Sequence, residues 1–133
     1  MSGADPPERE PLRVSILAQG GYLIASIHTA LDDEHFEQFQ RDLVDQIGQR
    51  RARGVIIDVA ALDVLDSFGS RTLRDLGQVA RLRGAETVVV GIQPEVAFAM
   101  VKFGINLESI YTALDLEEGL ALLDRLSTSG VRP

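Results

Sequence analysis

Apolar and polar residues alternate from Arg13 to Gln19, with Val14, Ile16 and Ala18 set against Arg13, Ser15 and Gln19. A period of two predicts a half-buried β-strand. Gly20-Gly21 follows, a pair that accepts the positive φ angles of a tight hairpin turn, and Tyr22 to Ile27 reads as the returning strand. The period then lengthens. Phe36, Phe39, Leu43 and Ile47 fall at helical spacing behind Asp32, a residue type suited to capping a helix start. This helix is expected to end near Arg53, with Gly54 as its left-handed stop. Gly54 to Val59 is a nearly continuous apolar run, as expected of a central parallel strand covered on both faces.

Ala60 to Asp66 reads as a loop. Leu73, Leu76, Val79 and Ala80 mark a second helix stopped at Gly84, and Thr87 to Val90 is a further buried strand. Pro94 suits the first turn of a third helix, because it lacks only an amide that would be unpaired there. That helix carries Val96, Ala97, Met100 and Val101 and is expected to stop at Gly104. Ile110-Tyr111 is a short strand. Asp115 and Glu118 have capping-box spacing before a last helix with Leu116, Leu120 and Leu123. The order is ββαβαβαβα. It implies a single α/β domain whose mainly parallel sheet is joined by right-handed crossovers, the initial hairpin supplying an antiparallel edge. The apolar positions identified here are all expected in one core. The domain is placed at residues 12–127, after a disordered tail (1–11) holding three of the five prolines and before a flexible C-terminus (128–133).

Composition narrows the chemistry. With 133 residues the chain can bury a sizeable core, and 45% hydrophobic with 25% charged residues is ordinary for a globular protein. There is no cysteine, so disulfides, thiolate metal sites and a cysteine nucleophile are excluded. A formal charge of −7 opposes binding to nucleic-acid phosphates. No apolar run reaches the ~18 residues that span a bilayer, and the polar, proline-rich start does not resemble a signal peptide. A cytoplasmic protein with no membrane and no nucleic-acid partner is expected. Arg50, Arg51 and Arg53 cluster where the first helix would end, where cations favour the helix dipole.

Catalytic motifs are missing. No glycine-rich nucleotide cradle occurs, and Phe68-Gly69-Ser70-Arg71-Thr72 lacks the second glycine of a nucleophile elbow. His28 and His35 are the only histidines, and their spacing does not make a metal site. Asp58, Asp63 and Asp66 form one carboxylate cluster near a strand end, where α/β sheets bind ligands. A phosphoacceptor aspartate beside a metal would also need an acidic pair after the first strand and a lysine after a later one. Gly20-Gly21 occupies the first place, and the only lysine, Lys102, lies in a helix. Asp58 is instead expected to bond loop amides, and Asp63 and Asp66 to serve as turn and cap. No catalytic residue, metal or cofactor is assigned.

Asp66-Ser67-Phe68-Gly69 follows a buried strand and a loop and opens a helix, so on sequence physics alone it is a cap. The span from Val14 to Leu126 resembles the STAS domain of bacterial anti-sigma-factor antagonists. Gly91-Ile-Gln-Pro-Glu-Val-Ala97, Phe103-Gly-Ile-Asn-Leu107 and Thr112-Ala-Leu-Asp-Leu-Glu-Glu-Gly-Leu120 resemble the stressosome subunits of that family. The short N-terminal tail and a serine at position 67 make the chain most similar to the short scaffold (RsbS) type. The resemblance implies that Ser67 is the phosphoacceptor, Asp66 its neighbour in the recognition motif, and Asp63, Asp66, Phe68, Gly69, Ser70 and Arg71 the partner-binding residues. It implies Gly69 as the small residue where a kinase approaches closely. Ser70 and Thr72 are further hydroxyls at the helix start that could take phosphate.

By the same resemblance the partners are a switch-type serine/threonine kinase, regulatory STAS paralogues in a large co-oligomer, and a phosphatase. The kinase would be held by the complex and leave when Ser67 is phosphorylated. A stand-alone antagonist that binds an anti-sigma factor directly would use the same switch chemistry in a smaller assembly. An enzyme using Ser67 or Asp58 would need a base or metal that the sequence does not supply.

Overall fold

The computed structural model describes residues 12–103 and 108–129. Its elements are β1 (Val14–Gln19), β2 (Tyr22–Ile27), α1 (Asp33–Arg50), β3 (Gly54–Asp58), α2 (Ser67–Leu82), β4 (Glu86–Val90), α3 (Pro94–Lys102), β5 (Tyr111–Ala113) and α4 (Leu116–Ser129). The order is the one that periodicity predicts. One five-stranded sheet runs β1-β2-β3-β4-β5, antiparallel between β1 and β2 and parallel thereafter.

Alternation along the strands makes two layers. Leu23, Ala25, Ile27, Val55, Ile57 and Val89 point to one face and pack with Phe36, Phe39, Leu43, Ile47, Leu73, Leu76, Val96 and Met100 of α1, α2 and α3. Tyr22, Ile24, Ile56, Val88 and Val90 point to the other face and meet Leu123 of α4. Three helices therefore cover one side, and one covers the other. At the far end of α4, Tyr22 Oη donates to Asp124 Oδ1 at 2.6 Å while the Arg53 guanidinium lies 5.1 Å from the Tyr22 ring centre and donates to Ser127 Oγ. Burial, with the Asp124 carboxylate as acceptor, pushes the Tyr22 phenol above its ordinary pKa.

Four local expectations are corrected. The first helix stops at Arg50, and Arg51, not Gly54, takes the left-handed position at φ 52°. Gly54 instead begins β3, where a Cβ would sit 2.7 Å from Leu123 Cδ2, so it is small for packing. Arg53 belongs to the Tyr22 contact and not to the dipole of α1. Ile110 is not laddered: β5 starts at Tyr111, and Ile110 is buried beside Gly77 of α2. Nor does one core absorb every apolar residue. In α3 only Val96 and Met100 are buried, Ala97 is exposed and Val101 is 79% exposed, because a nine-residue helix on a sheet hides one narrow stripe. The last helix runs through Ser129. The tail at 1–11, the stop at Gly104 and residues 130–133 lie outside the described residues.

Candidate functional site

The site grows out of the central strand. β3 is flanked by β2 and β4, so the loop that leaves it begins from a fixed point. Val59 N donates to Val90 O at 3.0 Å, Asp58 Oδ1 accepts from Ala60 N at 2.9 Å, and Leu62 N donates to Val59 O at 2.9 Å. From the neighbouring connection, Gln93 Nε2 donates to Ala60 O at 2.7 Å. Gly91, at φ +78°, comes so near that a Cβ would fall 2.8 Å from Ala60 Cβ. Leu62 and Leu65 are buried anchors at a spacing of three, which turns Asp63 and Val64 outward; Val64 is 67% exposed. An apolar side chain is thus presented three residues before Ser67. The string Leu62-Asp63-Val64-Leu65 does not show which of its apolar members faces water.

Asp66 is the cap of α2. Its extended backbone (φ −82°, ψ −179°) lets Oδ1 accept from Gly69 N at 2.8 Å, while its carbonyl accepts from Ser70 N at 2.9 Å. Ser67 is the first helical residue and is half-buried. Arg71 is exposed one turn later, and helical side chains lean toward the N-terminus, so its guanidinium can reach back toward Ser67. The first turn of α2 holds no acidic residue. Those of α1 (Asp33, Glu34), α3 (Glu95) and α4 (Glu117, Glu118) all do. Helix starts attract negative charge, so α2 is the start left with room for an added anion.

The other candidates separate by direction. Asp63, Asp66 and Arg71 are exposed, and Phe68 is half-buried against the larger core. Gly69 and Ser70 are buried in the folded chain. Gly69 is small for an internal reason: a Cβ would lie 2.7 Å from Phe36 Cε2 and 2.8 Å from Leu65 Cδ1. Ser70 is 0% exposed, and its hydroxyl has no hydrogen-bond partner among the described residues. Thr72 is 6% exposed and donates its hydroxyl to Phe68 O at 2.9 Å. Neither is presented as a further phosphoacceptor. Asp58 and Asp66 hold the loop and cap positions expected of them. His35 sits in the first turn of α1 bonded to Asp32, and exposed His28 shares a hydrogen bond with Ser15. Among the described residues no group of three His, Asp or Glu side chains could hold a metal ion, and no helix is long and apolar enough to cross a membrane.

A sequence profile of the STAS domain matches residues 13–119. The chain belongs to the STAS domain family. A Ser-to-Glu variant of RsbS from Moorella thermoacetica shares 35% identity at a TM-score of 0.78, covering 88% of this chain and 99% of that one. A chain from the molecular architecture of the stressosome, described as a signal integration and transduction hub, shares 33% at 0.70, covering 85% and 98%. The RsbT co-antagonist protein RsbRA of Bacillus subtilis (strain 168) is 28% identical over 90 residues, 68% of this STAS chain and 33% of that protein. The chain thus spans about a third of the length of the curated relatives it matches. SpoIIAA, an anti-sigma factor antagonist in its unphosphorylated form, shares the fold at 16% identity and a TM-score of 0.64, covering 86% of this chain and 97% of that one.

Proposed function

We propose that this chain is a non-enzymatic signalling scaffold of the stressosome kind, which holds a serine/threonine kinase and releases it when Ser67 is phosphorylated. The observation that carries the reading is the start of α2. There a half-buried serine occupies the first helical position of α2, the one helix among the described residues without acidic residues in its first turn, beside an outward-facing loop. Phosphate brings about −1.5 to −2 charges and three strong acceptor oxygens. First-turn amides can donate to those oxygens, the positive end of the helix favours their charge, and Arg71 can pair with them. The Asp66 cap and nearby Asp63 oppose the new charge. The fold is expected to persist while the surface becomes more negative.

A kinase face fitted to neutral Ser67 and to Val64 would, after modification, meet an unpaired charge. Truncating or unpairing a buried charge at an interface costs roughly 2–5 kcal/mol, and each ~1.4 kcal/mol is tenfold in affinity. That magnitude releases a partner without a large motion. Support comes from the likeness to RsbS and to a stressosome chain, and from that to RsbRA, an RsbT co-antagonist protein. A carboxylate is a partial stand-in for phosphate, which suits the Ser-to-Glu change in the RsbS structure. Assembly with regulatory STAS paralogues, and dephosphorylation by a phosphatase, belong to the same reading.

The test is kinase retention on size-exclusion chromatography. Wild type and Ser67→Ala should carry the kinase in the high-mass fraction, whereas Ser67→Glu should leave it free. Equal retention by all three would remove the switch from Ser67. Retention that requires no other STAS protein, in a particle of only one or two copies, would favour the stand-alone antagonist.

A further inference from the structure

β3 begins at Gly54, at the end of the sheet opposite to the loop that leads to Ser67, and Arg50, Arg51, Arg53 and Arg83 gather around that end, all exposed. The helix dipole is served by one cation in the last turn of each helix, Arg50 in α1 and Arg81 in α2. Arg51, Arg53 and Arg83 come in addition. Contacts across this end tie the four together. α1 and α2 pack against each other, and a Cβ on Gly48 would lie 2.5 Å from Arg83 Nη2, so this guanidinium reaches from the end of α2 onto the last turn of α1. Glycine inside a helix is unfavourable relative to alanine, and here it leaves Arg83 its place. In the turn between β1 and β2, a Cβ on Gly21 would lie 2.6 Å from Arg53 Nη2. Gly20, Gly21, Gln49 and Arg50 line a cavity of about 290 Å³ between that turn and α1. Arg50 donates to the Gln46 amide oxygen, and Arg53 meets the Ser127 hydroxyl and the Tyr22 ring. Among the described residues no carboxylate pairs with any of the four, whereas Arg74 and Arg81 are paired with Asp75 and Glu86.

We propose that this arginine-rich end is a docking surface for a carboxylate-rich segment of another protein. Charge complementarity carries the assignment. The chain holds 20 acidic residues against 13 basic ones, yet four guanidinium groups share one surface without a carboxylate among them. Guanidinium forks match carboxylates two hydrogen bonds at a time. The patch is also small. Neighbouring helices pack ~8–10 Å apart, a span that suits a few acidic side chains in succession. A nucleic-acid duplex carries a charge every ~1.7 Å and would run past the patch onto the rest of a chain whose net charge is −7. Pairs between exposed charges are individually weak and screened by salt, so the affinity depends on the four acting together and falls with ionic strength. The length of β3 separates this surface from the start of α2, so the contact stands apart from the switch at Ser67.

The probe is a short fluorescein-labelled polyglutamate peptide, followed by fluorescence anisotropy at low ionic strength. Wild type should bind it saturably, and added salt should release it. Arg51→Glu/Arg83→Glu should weaken binding about tenfold, because each reversal removes one attraction and adds one repulsion. Arg41→Glu/Arg71→Glu is the matched control: each substitution subtracts two charges, so both variants fall equally below the wild-type −7. This control should keep most of the wild-type affinity. Arg51→Gln/Arg83→Gln, a milder pair at the same exposed positions, should also weaken the peptide while the melting curve stays unchanged. The proposal is overturned if wild type does not bind the peptide, if the matched control loses as much affinity as the variants at Arg51 and Arg83, or if a labelled DNA duplex binds more tightly than the peptide.

Discussion

Gly69→Ala separates a glycine needed for packing from one kept open for a partner. The added methyl would approach Phe36 Cε2 to 2.7 Å, Leu65 Cδ1 to 2.8 Å and Phe36 Cζ to 2.9 Å, all closer than real Cβ contacts come. Both neighbours are buried, so neither can swing into solvent. Overpacking of this kind costs roughly 1–3 kcal/mol. Alanine's helix propensity returns about 1 kcal/mol of that. The expected result is a net loss of about 1 kcal/mol, or about 4 °C in Tm for a domain of this size. Since the chain has no tryptophan, urea or thermal unfolding is best followed by far-UV circular dichroism. Phe36→Leu should make room for the methyl, so the double variant should be more stable than additivity predicts, by about 0.5–1 kcal/mol. A Gly69→Ala chain at least as stable as wild type, or strict additivity with Phe36→Leu, would refute the packing argument.

Other outcomes follow from the same geometry. Asp66→Ala should lose about 1 kcal/mol in urea titrations by freeing Gly69 N, whereas Asp66→Asn should stay near wild type because an amide oxygen still caps. Leu43→Ala, at the centre of the core under α1, should cost roughly 2–5 kcal/mol by the same assay. The raised pKa of Tyr22 means that the folded state holds its proton more tightly than the unfolded chain does. Its contribution is therefore complete below about pH 10 and is lost as pH rises through the folded value. Unfolding midpoints measured from pH 9 upward should fall more steeply for wild type than for Tyr22→Phe.

Much of the fold is written in the spacing of apolar residues. Period two at Val14–Ala18 and helical spacing from Phe36 to Ile47 are visible because one side of each element meets the core, and the apolar run Tyr22–Ile27 because β2 is covered on both faces. Where tertiary packing chooses among similar residues, sequence reading falters. Gly54 has the composition of a helix stop, yet Leu123, about 70 residues later, is what keeps it small, and Arg51 takes the left-handed turn. In the candidate site, the strand–loop–cap order and the position of Ser67 are readable. The inward turn of Gly69 and Ser70 is not, because it depends on where Phe36 and Leu65 lie. The exposure of Val64 and Leu17 is hidden for a similar reason. An apolar residue in a strand or loop announces burial, and only the coverage of each sheet face reveals otherwise.

The switch itself is tested most directly by intact-mass analysis of wild type and Ser67→Ala after incubation with the cognate serine kinase and ATP. One phosphate on wild type, absent from Ser67→Ala, with Ser70 and Thr72 unmodified in peptide maps of the folded protein, is the predicted result. Equal phosphorylation of the two chains, or no phosphate on either, would contradict the assignment of the switch to the start of α2.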